Sequence, residues 1–252
     1  MSKLKMLTET VTLPSKGLLY PEDSPLASGE VEMKYMTAKE EDILTNQNYI
    51  RQGTVIDKLL QSMVVSDINF DDLLTGDKDA IMIAARILGY GKDYPIEYFN
   101  PQTNITEDHT VDLTKLGDKP LAEEIYKANR TNEFAFTLPH TKTNITFQLM
   151  THGLDKKIDK DIAGLKKIDP NRTAEVTTRM KHIITSVGGS RDIKDIIEFV
   201  DNYLVAMDSR ALREYIARLT PGVDLTFTYE KDGYVEEGVE LPIGVNFFWP
   251  DA

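Results

Sequence analysis

The sequence contains no cysteine, and this absence removes several kinds of chemistry at once. Disulfide bonds, thiolate zinc sites, iron–sulfur clusters and cysteine nucleophiles all need a thiol that this chain does not have. Histidine is also scarce, with four residues in 252, and no two of them stand at the i, i+4 spacing of a helical zinc site. We therefore expect no transition-metal centre and no cofactor.

Long apolar runs are absent as well. No stretch approaches the roughly 20 apolar residues that cross a bilayer, and residues 1–6 lack the apolar core of a secretion signal. The net charge of −12 repels a phosphate backbone and disfavours non-specific binding to nucleic acid. We expect a cytosolic protein that binds neither membrane nor nucleic acid.

No catalytic or ion-binding motif is complete. Residues 89–92, Gly-Tyr-Gly-Lys, lack the preceding glycine and the following serine or threonine of a phosphate-binding loop. A calcium loop that would begin at Asp67 has Asp72 where glycine is needed and Lys78 where a bidentate glutamate belongs. The many carboxylates single out no acid–base pair. The sequence predicts no catalytic and no metal-binding residue, and an enzyme that uses scattered carboxylates stays open as an alternative.

Alternation of apolar and polar residues predicts three antiparallel hairpins. The first has strands at residues 94–98 and 109–113, and its turn, residues 100–104, has the outline of a zinc-ribbon knuckle without metal ligands. The other two lie at residues 134–149 and 224–241. Helical patterns separate the hairpins, so the predicted fold class is α+β, with helical lobes and three antiparallel β-hairpins.

Helix signals accompany these hairpins. Asp77 and Asp208 are each expected to cap a helix. A helix is predicted over residues 173–184, and another, over residues 192–204, is expected to bury a stripe that includes Ile193 and Ile197.

We predict two lobes. Residues 1–130 form a lobe with an N-terminal arm, helices and the knuckle-like hairpin, and residues 131–252 form a lobe with helices, hairpins and an aromatic tail. A hinge is expected near Gly188 and Gly189 because paired glycines are conformationally free. No internal repeat occurs at a solenoid period.

Both ends of the chain carry apolar segments, and the C-terminal one contains the only tryptophan. Large aromatic side chains anchor cores and interfaces alike, so these segments either close the chain's own core or dock on a partner. The candidate partner-binding residues are Leu18, Leu19, Tyr20, Phe247, Phe248 and Trp249.

Several short motifs, taken in order, resemble one protein family. They are LPSKGLLY at residues 13–20, EMKYMTAKEED at 32–42, Arg86 with GYG at 89–91 and Tyr94, FTLP at 136–139, and FFWP at 247–250. Together they are similar to the T4-type bacteriophage baseplate proteins, the hub subunit and hub-assembly proteins of contractile-tailed phages. Members of this family often have a Cys-Pro-X-Cys knuckle where this chain has Asn-Pro-Gln-Thr at residues 100–103, so the resemblance implies no metal here.

What the resemblance implies is a non-enzymatic role in building the central hub of a tail baseplate, through contacts with other hub or tail proteins. The expected location is the host cytoplasm during assembly, with the virion baseplate as the final place of a structural component. A transient assembly chaperone that is absent from the mature virion is the alternative. The oligomeric state stays open.

Overall fold

The computed structural model describes residues 6–129, 131–169, 174–244 and 247–249. Within these ranges the chain forms nine α-helices and nine strands, and the predicted α+β fold class is confirmed. The helices are α1 (Ala38–Leu44), α2 (Gln47–Arg51), α3 (Val55–Met63), α4 (Thr75–Tyr90), α5 (Glu123–Asn129), α6 (His152–Ile168), α7 (Glu175–Ile183), α8 (Ile193–Asn202) and α9 (Ala206–Leu219). The strands are β1 (Thr8–Thr12), β2 (Glu30–Lys34), β3 (Asp93–Asn100), β4 (Ile105–Asp112), β5 (Phe134–Thr137), β6 (Asn144–Phe147), β7 (Ile184–Val187), β8 (Thr226–Lys231) and β9 (Tyr234–Glu240).

The strands of the described residues pair into four antiparallel sheets. Three are two-stranded (β1–β2, β3–β4 and β8–β9), and the fourth has the order β5-β6-β7. All three predicted hairpins are present, as β3–β4, β5–β6 and β8–β9. The return strand of the first one begins at Ile105 and not at His109, so β3 and β4 pair along their full length.

A buried carboxylate joins the first sheet to the first helix. Thr37 and Glu40 form a capping box at the start of α1, with the Thr37 hydroxyl 2.6 Å from Glu40 Oε2. Glu40 also accepts a hydrogen bond from the ammonium group of Lys34, at the end of β2, at 2.8 Å. Burial would raise the pKa of Glu40, but the hydrogen bonds from Lys34 and Thr37 lower it to about 2.

The predicted helix over residues 173–184 extends one residue too far at its C-terminal end, and its first residue, 173, lies outside the described residues. The helix stops at Ile183, and Ile184–Val187 becomes β7, which pairs with β6 and buries Ile184 and Ser186. Gly188 and Gly189, both with positive φ, then form a tight turn, in which Val187 and Ser190 exchange two backbone hydrogen bonds of 2.9 Å. Whether this turn acts as a hinge stays a prediction.

Most buried apolar side chains of both halves of the chain belong to one cluster. The Tyr126 and Phe134 rings lie 6.0 Å apart, and the Tyr126 hydroxyl donates to the carbonyl oxygen of Leu219. At the start of α4, Gly76 packs directly against the backbone of Pro221. The division into lobes at residue 130 stays a prediction.

Candidate partner-binding surfaces

The described residues contain no group of three or more histidine, aspartate and glutamate side chains that could hold a metal ion. In the knuckle-like hairpin, His109 stacks on Phe227 with ring centroids 5.4 Å apart. Among the described helices, none is long and apolar enough to cross a membrane.

A polar cluster joins α3, α4 and α6. The Lys78 ammonium group lies 2.7 Å from Asp57 and 3.1 Å from Nδ1 of the buried His152, whose Nε2 lies 3.2 Å from Asp57. Burial lowers the pKa of His152, and the neighbouring Lys78 lowers it further. The neutral imidazole accepts a hydrogen bond from Lys78, so the cluster ties three helices together.

The N-terminal candidate residues lie against the start of α4. Leu19 and Tyr20 are buried and Leu18 is partly exposed. The Tyr20 hydroxyl donates to Asp77 Oδ2 at 2.6 Å and accepts from the Leu74 amide at 2.9 Å. Burial, together with the Asp77 carboxylate, raises the pKa of Tyr20. Leu19 and Tyr20 are therefore part of the chain's own core.

The C-terminal aromatic residues lie between the first hairpin and α1. Phe247 and Phe248 are buried, and Phe247 packs edge-on against Tyr94 at 5.2 Å. Trp249 is partly exposed, and its indole nitrogen donates to the carbonyl oxygen of Leu44 at 3.2 Å. The tail thus folds back on the core, and contact of the six candidate residues with a partner stays a prediction.

Asp77 and Asp208 are not helix caps. The helices begin two residues earlier, with Leu74 and Val205 at the N-cap positions, and each aspartate is the third residue of its helix and fully buried. Asp77 accepts hydrogen bonds from the Ser15 amide at 2.9 Å and from the Ser15 hydroxyl at 2.6 Å. Each carboxylate therefore accepts hydrogen bonds from a distant loop and does not cap its own helix.

Asp208 makes the matching contacts in the second half. It accepts from the amides of His140 and Thr141 at 2.7 and 2.9 Å and from the Thr141 hydroxyl at 2.7 Å. Burial would raise the pKa of Asp208, but these hydrogen bonds lower it below its ordinary value. For Asp77, burial prevails over the hydrogen bonds from Ser15 and Tyr20, and the pKa is raised.

The two loops held in this way share a sequence pattern. Each follows a strand that ends in threonine, and each begins with a buried leucine and a proline: Leu13-Pro14 after β1 and Leu138-Pro139 after β5. The repeated Thr-Leu-Pro element was not predicted, because the three residues that residues 12–14 share with residues 137–139 are too few to indicate a repeat on their own. We call the two assemblies, each with its loop and aspartate, the Leu-Pro clamps.

The first and third hairpins stack face to face. The Tyr98 and Tyr229 rings lie 3.9 Å apart at an interplanar angle of 23°. The Tyr98 hydroxyl donates to Glu236, and the Tyr229 hydroxyl donates to Glu107 at 2.8 Å. The ammonium group of Lys231 also contacts Glu107. The hydrogen bonds from Lys231 and Tyr229 lower the pKa of Glu107 to about 2, and Lys231 contributes most.

Exposed apolar side chains occur along α8, in the segment that joins it to α9, and at the start of α9. Ile193 and Ile197 were expected inside, but they face solvent because Ile196, Phe199 and Val200 form the buried face of α8. The exposed set consists of Ile193 (57%), Ile197 (40%), Tyr203 (59%), Val205 (38%) and Met207 (67%). Exposed apolar patches of this kind are typical of interaction surfaces.

Asp77, Asp208 and the cluster around His152 thus serve packing, while apolar side chains near α8 are exposed. The family model of the T4 bacteriophage base plate protein matches residues 6–249. The chain belongs to this family, whose members are structural proteins of the phage baseplate and generally non-enzymatic. No curated protein and no solved structure matches the chain.

Proposed function

We propose that this chain is a non-enzymatic hub protein of the phage tail baseplate and takes part in assembly of the central hub through protein–protein contacts. The observation that carries the proposal is the family match over residues 6–249. Membership implies contacts with other tail or baseplate proteins. The exposed apolar side chains near α8 support such contacts, and the net charge of −12 favours basic partner surfaces.

A structural hub component and a transient assembly chaperone differ in one observable. Quantitative mass spectrometry of purified virions should find the chain at a fixed ratio to other baseplate proteins if it is a structural component. Its absence from virions, together with its presence in hub complexes from infected cells, would replace the structural role with the chaperone role.

The terminal segments are proposed to contribute through their accessible parts. Leu18 and Trp249 are the partly exposed members of the six candidate residues, whereas Leu19, Tyr20, Phe247 and Phe248 hold the segments on the core. Trp249→Ala should reduce recovery of hub proteins with the tagged chain and leave the chain folded, because Phe247 and Phe248 remain. Ile168→Ala, at a highly exposed side chain, is the control. Unchanged recovery with folded Trp249→Ala and Leu18→Ser variants would overturn the terminal contact.

A further inference from the structure

The two stacked hairpins leave an open groove along one side. Each is a two-stranded sheet, so within the described residues every one of their strands has one edge without a strand partner. A groove of about 490 Å³ lies where β4 runs beside β8. Its lining includes Val111 and His109 of β4, Phe227 of β8, and the neighbouring Leu116.

The register shows which backbone groups of β4 are unpaired. The Leu113 amide donates to the Lys92 carbonyl oxygen at 2.9 Å, and hydrogen-bonded pairs alternate with non-hydrogen-bonded pairs along an antiparallel ladder. The pair of Pro95 with Thr110 is therefore a non-hydrogen-bonded pair, which fits a proline that has no N–H. It follows that the amides and carbonyls of Thr106, Asp108 and Thr110 point away from β3, along the free edge.

Strand β8 also has backbone groups that point away from its partner β9. Lys231 and Tyr234 flank a two-residue turn in which Asp232 and Gly233 have φ of 50° and 83°, so this pair is hydrogen-bonded. The preceding residue, Glu230, is then in a non-hydrogen-bonded pair with Val235, so its backbone groups point to the free edge of β8. Two strand edges thus border one groove.

The opposite side of the stack is obstructed. Pro95 removes an outward amide from the free edge of β3, and two β9 residues, Glu237 and Gly238, stand opposite the single Thr228 of β8. Gly238 has a φ of 72°, a left-handed conformation that glycine adopts without strain. Prolines and bulges are devices that prevent strand addition at an exposed edge. The edges of β4 and β8 carry neither device.

We propose that the β4 edge binds an extended segment of a partner protein as an added strand. Side chains on one face of that segment would meet His109, Val111 and Phe227, so they should be apolar. The exposed face beside the edge carries Asp108 and, on β3, Glu97, so the alternate side chains should be basic. The segment that fits alternates apolar and basic residues. This inference rests on the proposed function, because it names the contact through which a baseplate partner binds.

Residue-resolved amide exchange of the full chain tests the site directly. The probe is a capped ten-residue peptide that alternates valine and lysine. Binding should slow exchange of the Thr106, Asp108 and Thr110 amides at least about tenfold, because they gain hydrogen-bond partners. Exchange at Asp93 and Glu97, on the other edge of the hairpin, should not change. No slowing, or equal slowing on both edges, would overturn the proposal, and equal binding of a valine–glutamate peptide would overturn the basic half of the motif.

A matched pair of variants separates the two edges. Thr110→Pro removes an outward amide from β4, and Glu97→Pro removes an outward amide from β3, and neither change breaks a hydrogen bond between the two strands. Thr110→Pro should abolish the peptide effect and Glu97→Pro should preserve it. If Thr110→Pro does not fold, Thr110→Lys supplies the edge charge that discourages strand pairing.

Recovery of hub proteins from infected cells distinguishes this inference from the proposed function. Equal recovery of hub proteins with wild type and with Thr110→Pro would overturn strand addition but would not contradict the hub role. Failure to recover hub proteins with the wild type would overturn the hub role itself. A concentration-dependent dimer that Thr110→Pro abolishes would show that a second copy of this chain occupies the edge, which would also overturn the proposal.

Discussion

Tyr98 and Tyr229 make reciprocal contacts across the stacked hairpins. Within its own hairpin, Tyr98 stands opposite Glu107, and Tyr229 stands opposite Glu236. Each tyrosine donates its hydroxyl hydrogen to the glutamate of the other hairpin, while the two rings stack. The contact is the same in both directions, as at a two-fold interface.

The Leu-Pro clamps show the same duplication. The same sequence separation lies between Asp77 and Asp208 as between Tyr98 and Tyr229. Each aspartate helix follows a Leu-Pro loop in the chain and leads into one of the stacked hairpins. The two halves of the chain therefore share the same order of Leu-Pro loop, aspartate helix and stacked hairpin.

The Leu-Pro clamps should be major contributors to stability. Asp77→Ala would leave the Ser15 amide and the Tyr20 hydroxyl buried without their acceptor, and Asp208→Ala would remove the acceptor that holds the His140 and Thr141 amides. Each change is expected to lower the free energy of unfolding by about 2 kcal/mol or more, measured by denaturant titration. Asp72→Ala, at an exposed aspartate before α4, is the control and should cost less than about 0.5 kcal/mol. Equal effects at Asp72 and Asp77 would contradict the role of the clamps.

The tyrosine pair should couple the two hairpins. Tyr98→Phe keeps the stacked ring and removes the hydrogen bond to Glu236, so the thermal midpoint should fall. A double-mutant cycle of Tyr98→Phe with Glu236→Gln should show non-additive losses, and Tyr229→Phe with Glu107→Gln should behave in the same way. Tyr203→Phe, at an exposed tyrosine, should leave the midpoint unchanged. Additive losses in both cycles would show that the reciprocal bonds do not hold the hairpins together.

Two glycine-to-alanine substitutions should change the stability of the protein in opposite directions. A Cβ at Gly76 would overlap the carbonyl oxygen of Pro221, whereas a Cβ at Gly164, inside α6, meets nothing within 4 Å. Gly164→Ala should stabilise the protein by about 0.5–1 kcal/mol through helix propensity. Gly76→Ala should destabilise it by more than about 2 kcal/mol, because the backbone contact between the halves must open. A stabilising effect of Gly76→Ala in thermal unfolding would contradict the close packing of α4 on Pro221.

Glu40 should make stability depend on pH in the acid range. Its folded-state pKa of about 2 lies below the ordinary value of 4.5, so its contribution is present above pH 4.5 and is lost as pH falls towards 2. Glu40→Gln should therefore be less stable than wild type at neutral pH, and the difference should shrink on acidification. Glu41→Gln, at the exposed neighbour on α1, should show no such trend. A difference between Glu40→Gln and wild type that does not change with pH would contradict this assignment.

Local patterns predicted the hairpins because their information lies within a few residues. Alternation of apolar and polar residues marks β3–β4, β5–β6 and β8–β9. The strand Ile184–Val187 was not predicted, and Ile184 was assigned to the preceding helix, because only pairing with β6 makes this segment a strand.

The roles of Asp77 and Asp208 could not be predicted from local pattern. An aspartate near a helix start indicates a cap, but these two carboxylates bind loops 62 and 68 residues away in the chain. The Leu-Pro clamps leave only a leucine, a proline and an aspartate as a shared trace in each half, which is too sparse to show as a repeat. The open edge of β4 likewise depends on the register of the pair and on the placement of β8.

Quantitative affinity purification of the tagged chain from infected cells tests whether this chain assembles with baseplate hub proteins. Hub proteins should be recovered in a constant ratio to the chain, and the ratio should fall with Thr110→Pro but not with Glu97→Pro. Recovery of the folded chain without hub proteins, from cells in which baseplates have assembled, would contradict assembly with hub proteins.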